Sequence, residues 1–267
     1  MARRLSYITV EGVHDVAFIG RLLKDANFKA VQLKANLDPT FATRLVPTAF
    51  PFEDDLKRRM PVPSFWQNES HAIALHSANT DTQLASRAVA SVQTMDVALE
   101  TVGFILDADH QESPAQRYKK LEANLAAEFE KNSIPPSFSL PAAAGQIHPG
   151  LPRCGAYIMP DNSTQGTLED LLLDAAGIHY ADLTAHAENY LKQINRSALT
   201  QKDLEEINKP AGEKKAQIAV VGSILKPGKS IQVSIEDNRW LDGPAKTSQH
   251  IGELRLFLQQ LLNEPAI

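Results

Sequence analysis

The stretch LSYITVEGVHDVAFIGRLL, residues 5–23, changes its periodicity in the middle. Residues 5–10 are β-rich, Glu11 and Gly12 interrupt the run, and Val16, Phe18, Ile19, Leu22 and Leu23 then recur at helical spacing. The pattern is a strand, a tight turn and a helix. In open α/β sheets ligands bind beyond the carboxyl ends of the strands, which is where Glu11 falls. Asp15 follows in the first helical turn, able to face the same crevice. Asp15 also has a purely structural explanation, as a charge complementing the helix dipole.

Outward from this unit, strands 28–34, 71–77, 101–107 and 154–159 alternate with helices 81–96, 114–131 and 167–176. The alternation predicts an α/β fold, a parallel sheet flanked by helices. A long irregular stretch, 36–70, holds Pro39, Pro47, Pro51, Pro61 and Pro63 with the charged FEDDLKRRM (52–60) embedded. Connections of this length are uncommon in compact domains and are often functional or mobile. Phe65 and Trp66 either pin it to the core or stack on bases. A second proline-rich loop, 132–153, is a candidate lining for the same cleft. The expected organisation is a core over 1–177 and a mostly helical C-terminal extension over 178–267 that packs on it. The extension's expected helices are 180–195, 200–208 and 248–263, with 217–225 readable as helix or strand.

The acidic residues fall at the ends of these elements. TVGFIL (101–106) is an apolar run of strand length that ends in Asp107, Ala108 and Asp109. Strand side chains alternate, so Asp107 and Asp109 can enter one site, where they repel unless a cation neutralises them. The bland alternative is a polar strand end running into a loop. GAYIMPDNSTQGTLED (155–170) brings Asp161, then Thr167 and Asp170 at capping-box spacing. The cap explains Asp170 and leaves Glu169 as the better functional candidate. Converging carboxylates without clustered His or Cys point to magnesium or manganese rather than zinc.

These residues resemble a known arrangement. VEGVHDVAFIGRLL (10–23) is similar to the first motif of Toprim domains, and FILDAD (104–109) is similar to their Asp-x-Asp motif. Within that superfamily the chain looks most like small stand-alone bacterial Toprim-like proteins related to the OLD-family nucleases. Their Glu-x-x-x-Asp/Glu, Asp-x-Asp, Gly-x-Leu-Glu and later lysine correspond to Glu11 and Asp15, Asp107 and Asp109, Gly166 with Leu168 and Glu169, and Lys214 or Lys215. The resemblance covers residues 5–177 well and the remainder loosely. It implies a Toprim-like fold and magnesium-dependent phosphodiester hydrolysis of DNA or RNA, with manganese as the alternative ion. Glu11, Asp107 and Asp109 would hold metal, Asp15 or Glu169 would complete a second position, and Lys215, or Lys214, would neutralise charge on the phosphate. His110 is a candidate general base, or a histidine on a surface loop. OLD-type nucleases usually carry an ATPase domain, and no Gly-x-x-x-x-Gly-Lys-Ser/Thr loop occurs here. A separate ATPase partner is therefore the alternative expectation, with this chain a partner-dependent or catalytically silent effector subunit. Phosphatase chemistry of the HAD kind fits less well, because DADHQ (107–111) departs from Asp-x-Asp-x-Thr/Val and Glu11 is left unexplained.

At 267 residues, 43% hydrophobic and 22% charged, the chain can bury a sizeable core. A single cysteine fits a reducing cytosol, and neither a signal segment nor a membrane-spanning run is visible, so a cytoplasmic protein is expected. The net charge of −5 gives no global attraction to nucleic acid. Local basic groups could still track phosphate: Arg44, Lys57 to Arg59, Arg117 with Lys119 and Lys120, and Lys209 to Lys215. Each such run is also readable as an ordinary solvated face. A homodimer is compatible with these features.

Overall fold

The computed structural model of the chain describes residues 3–49, 62–264 and 267. Lys57 to Arg59, and all of FEDDLKRRM, lie outside the described residues. The strands are β1 (Arg4–Val10), β2 (Lys29–Ala30), β3 (Ser64–Gln67), β4 (His71–Ser77), β5 (Thr101–Asp107), β6 (Ile147–His148) and β7 (Arg153–Met159). They form one sheet in the order β2-β3-β4-β1-β5-β7-β6. β4, β1, β5 and β7 run parallel, whereas β2 with β3, β3 with β4, and β6 with β7 are antiparallel. The α/β architecture expected from the alternation is present, with antiparallel strands added at both edges of a parallel centre.

Helices cover both faces. On one face lie α1 (Val13–Asp25), α5 (Leu168–His179) and most of the C-terminal segment: α6 (Ala181–Gln193), α8 (Gly212–Leu225), α9 (Ile231–Asp237) and α10 (Gln249–Leu262), the short α7 (Gln201–Leu204) lying between α6 and α8. On the other lie α2 (Pro39–Arg44), α3 (Asp81–Met95) and α4 (Pro114–Lys131). Strand alternation divides the core accordingly. Ile8, Val10, Ile105, Tyr157 and Met159 point into the first layer, and Tyr7, Phe104, Leu106, Ala156 and Ile158 into the second. Among the described residues, 178–267 share the core of the sheet: Trp240, Leu254, Leu258 and Leu261 are buried in the same cluster as Ile8 of β1 and Ile105 of β5. At Gly103 a Cβ would come within 2.7 Å of Leu261, so the sheet accepts α10 at close range because this position lacks a side chain.

Two local expectations are corrected and one open reading is resolved. The segment 36–70 is not uniformly irregular. Asp38 Oδ1 accepts the Thr40 N–H at 3.0 Å and Pro39 occupies the first turn, starting α2, while residues 64–67 pair with β4. The strand expected over 28–34 shrinks to Lys29–Ala30, because β3 offers it only Gln67 and Trp66. Segment 217–225 is helical, inside α8, and α9 was not foreseen. Phe65 is buried against Phe41, their rings 5.7 Å apart, and Trp66 covers Gly20 of α1, so both tie this stretch to the core.

Candidate functional site

β1 sits at the centre of the sheet order, with β4 on one side and β5 on the other. The chain leaves β1 toward the β4 side and later returns to the β5 side, so the crevice at the carboxyl ends of β1 and β5 is a topological switch point. A cavity of about 230 Å³ opens there. Glu11, His14 and Asp15 reach it from the end of β1 and the start of α1, Asp107 from the end of β5, Glu169 from the start of α5, and Lys215 from the first turn of α8.

Each carboxylate is held by a local device. Asp15 is the third residue of α1, and its Oδ2 accepts the Gly12 N–H at 2.7 Å, closing the helix start. Its Oδ1 is buried and has no hydrogen-bond partner. Asp107 Oδ1 accepts the Leu168 N–H at 2.8 Å, tying the end of β5 to the start of α5. Glu169, the next residue, is 5% exposed and its Oε2 is also buried without a partner. Asp170 serves the cap as expected: its Oδ2 accepts the Thr167 N–H at 2.9 Å and its other oxygen pairs with Lys214. The adjacent lysines, alternatives in sequence, stand in different places. Lys214 is engaged by Asp170, whereas Lys215 lines the cavity and forms no ion pair among the described residues. Gly212 lets the 206–212 turn close against α8, since a Cβ there would lie 2.3 Å from the Glu206 carbonyl oxygen.

The electrostatic consequence is strong. Burial first, then the nearby charges of Asp15 and Asp109, pushes Glu11 up to about 8 against the pull of Arg117. Burial pushes Asp15 up to about 7, with Glu169 adding to the shift and the Gly12 N–H opposing it. Asp107 is raised well above the ordinary carboxylate range by burial and by Asp15, Glu11 and Glu169. Burial lowers the His14 imidazole, with Glu169 opposing that shift.

Arg117 is the residue whose importance was not legible. Read from sequence as tracking phosphate or as part of a solvated basic face, it is 3% exposed. Its Nε donates to the Asp107 carbonyl at 2.9 Å and its Nη1 to Asp81 at 2.9 Å, and its Nη2 donates to Glu11. Asp109 lies 3.8 Å from Nη2. A capping box, Ser113 with Gln116, fixes where α4 begins and thereby places Arg117 on the same face as Leu121 and Leu125. A lone arginine on an otherwise apolar helix stripe was the available signal.

The Asp-x-Asp pair is split. β5 ends at Asp107, and Asp109 takes a left-handed backbone conformation with φ 62° beside Gly166, so strand alternation no longer governs it. Its side chain lines a neighbouring cavity with His110 and Lys120. Asp161 also stays away from the cluster: its oxygens accept from the backbone and hydroxyls of Ser163 and Thr164, which holds its carboxyl below the usual range despite partial burial. Loop 132–153 does not line the cavity either. Residues 134–144 of it pack on the second face, with Phe138 against Phe104 and Phe129 and the Pro141 carbonyl accepting from the Tyr118 hydroxyl, and Ile147 packs on the first.

Among the described residues, no three His, Cys, Asp or Glu side chains stand ready at metal-ligating spacing. Asp15 and Asp107 each give one oxygen to a backbone N–H, and Glu11 is turned to Arg117. The donor chemistry nevertheless suits a hard cation. The two unpartnered buried oxygens, with the remaining Asp107 oxygen, offer carboxylates only.

A mixed α/β sheet with an acidic cavity at its switch point is the class that fold and site define. The chain belongs to a family described as a protein of unknown function (DUF3226), whose profile matches residues 6–263. In fold it is similar to a hypothetical protein, PH0156, from Pyrococcus horikoshii OT3, known from a crystal structure. The TM-score is 0.52 at 16% identity, over 97% of this chain and 95% of that one. No curated protein matches the sequence. Among the described residues no helix is long and apolar enough to cross a membrane.

Proposed function

We propose that the protein is a nuclease, dependent on magnesium or manganese, that hydrolyses phosphodiester bonds of DNA or RNA at a Toprim-like carboxylate site in the cytoplasm. The observation that supports this reading is the meeting of Asp15, Asp107 and Glu169 on one cavity, with Asp15 Oδ1 and Glu169 Oε2 buried and unpartnered. These three carboxylates share one cavity with the single cation Lys215, and each buried charge left uncompensated costs several kcal/mol. Oxygen ligation to a divalent ion removes that cost.

Asp15, Asp107 and Glu169 would hold the ion, and Glu11 on the same wall is the fourth candidate. When bound, a divalent ion makes a water more acidic and stabilises the attacking and leaving oxygens of the phosphate. Lys215 places a positive charge on the cavity wall, where it balances the charge that grows on the phosphate. Arg117 acts through others: it fixes the Glu11 carboxylate and the main chain of Asp107, and so ties the residue after β1 to the end of β5. Asp109, across Arg117, belongs to the adjoining cavity.

The Glu11–Arg117 pair favours a second reading, a catalytically silent Toprim-like subunit that works with a separate ATPase, because a guanidinium already neutralises the leading carboxylate. Incubation of the purified protein with single- and double-stranded DNA and RNA in magnesium, manganese or EDTA separates the two. The nuclease cuts at least one substrate only when metal is present; a folded protein that cuts none supports the subunit.

A further inference from the structure

Glu11 leads the acidic set in sequence, but the Arg117 guanidinium already holds its carboxylate. Beyond Glu11, the donors that the start of α1 brings to the cavity are Asp15 and the residue before it, His14. The starts of α1 and α5 correspond residue for residue: Gly12 and Thr167 are the caps, and His14 and Glu169 occupy the second helical positions. Both second positions line the cavity. The Glu169 carboxylate and the Lys215 ammonium are close enough to act on the charge of the His14 ring.

His14 is partly buried, and its ring makes no hydrogen bond or ion pair among the described residues. It can turn a nitrogen to an ion without giving up a partner. Asp15 and Glu169, each 5% exposed, contribute the buried oxygens Oδ1 and Oε2, which also lack one. With the remaining Asp107 oxygen, the donors are therefore carboxylate oxygens and one imidazole nitrogen, not oxygens alone. Magnesium keeps to oxygen ligands in a strict octahedron and gives up water reluctantly, whereas first-row transition ions accept imidazole. Three hard carboxylates beside one nitrogen make manganese the transition ion that suits the set.

We infer that His14 is a metal ligand that selects manganese over magnesium at this site. The inference rests on the proposed carboxylate metal site and adds the identity of its ion. Asp15, Asp107 and Glu169 supply negative charge and hard oxygens, and the His14 imidazole supplies the nitrogen for which magnesium has little affinity. Without the imidazole, the three carboxylates treat the two ions more nearly alike.

The test is calorimetric titration of the full chain with manganese and, separately, with magnesium, in wild type and His14→Ala. Electron spin-echo modulation of the manganese-loaded proteins and melting temperature in EDTA are measured alongside. His14→Ala should lower manganese affinity by about ten-fold, the lower end of what losing even a residue that supports a metal ligand brings, and change magnesium affinity by less than about two-fold. The wild-type manganese complex should show a directly coordinated nitrogen that His14→Ala lacks, at an unchanged melting temperature. Equal loss of both affinities, loss of neither, or manganese bound by wild type without a coordinated nitrogen would overturn the role of His14 and leave the carboxylate site standing. Should His14→Ala not fold, the wild-type spin-echo signal decides alone. Uptake of neither ion by folded wild type would remove the carboxylate metal site, and the role of His14 with it.

Discussion

The starts of α1 and α5 are built alike and differ in what they face. Each follows a parallel strand, and each has an aspartate in its third position accepting the N–H of the capping residue, Asp15 from Gly12 and Asp170 from Thr167. At α5 the second oxygen of that aspartate meets Lys214, and the charge is neutralised on the protein's own surface. At α1 the second oxygen is buried with Asp107 and Glu169 around it and no donor in reach. The same local motif is a finished cap in one place and half of a charged cavity in the other. Tertiary neighbours, not capping chemistry, decide which.

The largest effect that separates the two should appear in catalysis. Asp15→Asn and Asp107→Asn keep an oxygen to accept the Gly12 and Leu168 N–H groups and remove the charge. Each should lower metal-dependent cleavage by about a thousand-fold, or about 4 kcal/mol of transition-state stabilisation. Asp170→Asn should stay within a few-fold of wild type in the same assay. Equal losses in Asp15→Asn and Asp170→Asn would erase the distinction between the helices.

Next in size is Arg117. Replacement by Leu leaves Glu11 and Asp81 without their shared donor, and breaking a buried pair from one side costs roughly 3–5 kcal/mol. Urea denaturation in EDTA should show that loss at neutral pH, and a change under 1 kcal/mol would mean the guanidinium is not the counter-charge of the cluster.

The pH dependence of stability is smaller and has a definite sign. Unfolded, Glu11 and Asp15 titrate near 4.5 and 3.8, and folded near 8 and 7. Between those limits the unfolded chain has released protons that the folded chain still holds. Stability contributed by these groups is therefore full below about pH 4, falls as pH rises, and is lost above about pH 8, by on the order of a few kcal/mol. Denaturation midpoints in EDTA should drop from pH 5 to pH 8, and manganese should shrink the drop. A midpoint that rises over this range would contradict raised carboxyls.

The smallest contrast is in stability without metal at pH 8. Asp15→Asn relieves repulsion and should stabilise by about 1 kcal/mol, whereas Asp170→Asn weakens a cap and an ion pair and should destabilise by about 0.5–1 kcal/mol. Opposite signs from two capping aspartates would be visible in melting temperature alone.

Local signals carried the parts of this molecule that are local. Periodicity placed β1, α1, β5 and α4 close to their observed limits, and the Thr167 and Asp170 spacing identified a cap that exists. Glu11, Asp15, Asp107, Glu169 and Lys215 do meet on one cavity, because strand ends in a parallel sheet converge by topology. The pairing of Asp107 with Asp109 failed at the one step where alternation was extended past the strand's last residue into a left-handed turn. The buried pairing role of Arg117 is not legible because its neighbours in sequence, Lys119 and Lys120, look like a surface run, while its partners Glu11, Asp81 and Asp107 are remote in the chain. Proline content disguised α2, although Asp38-Pro39-Thr40 is itself a helix start.

The most direct test of the acidic cavity is manganese binding by calorimetry to wild type, Asp15→Asn and Asp170→Asn at neutral pH. A cation site at the start of α1 predicts that wild type and Asp170→Asn bind alike and that Asp15→Asn loses binding. Undiminished binding by Asp15→Asn, or no binding by folded wild type, would contradict it.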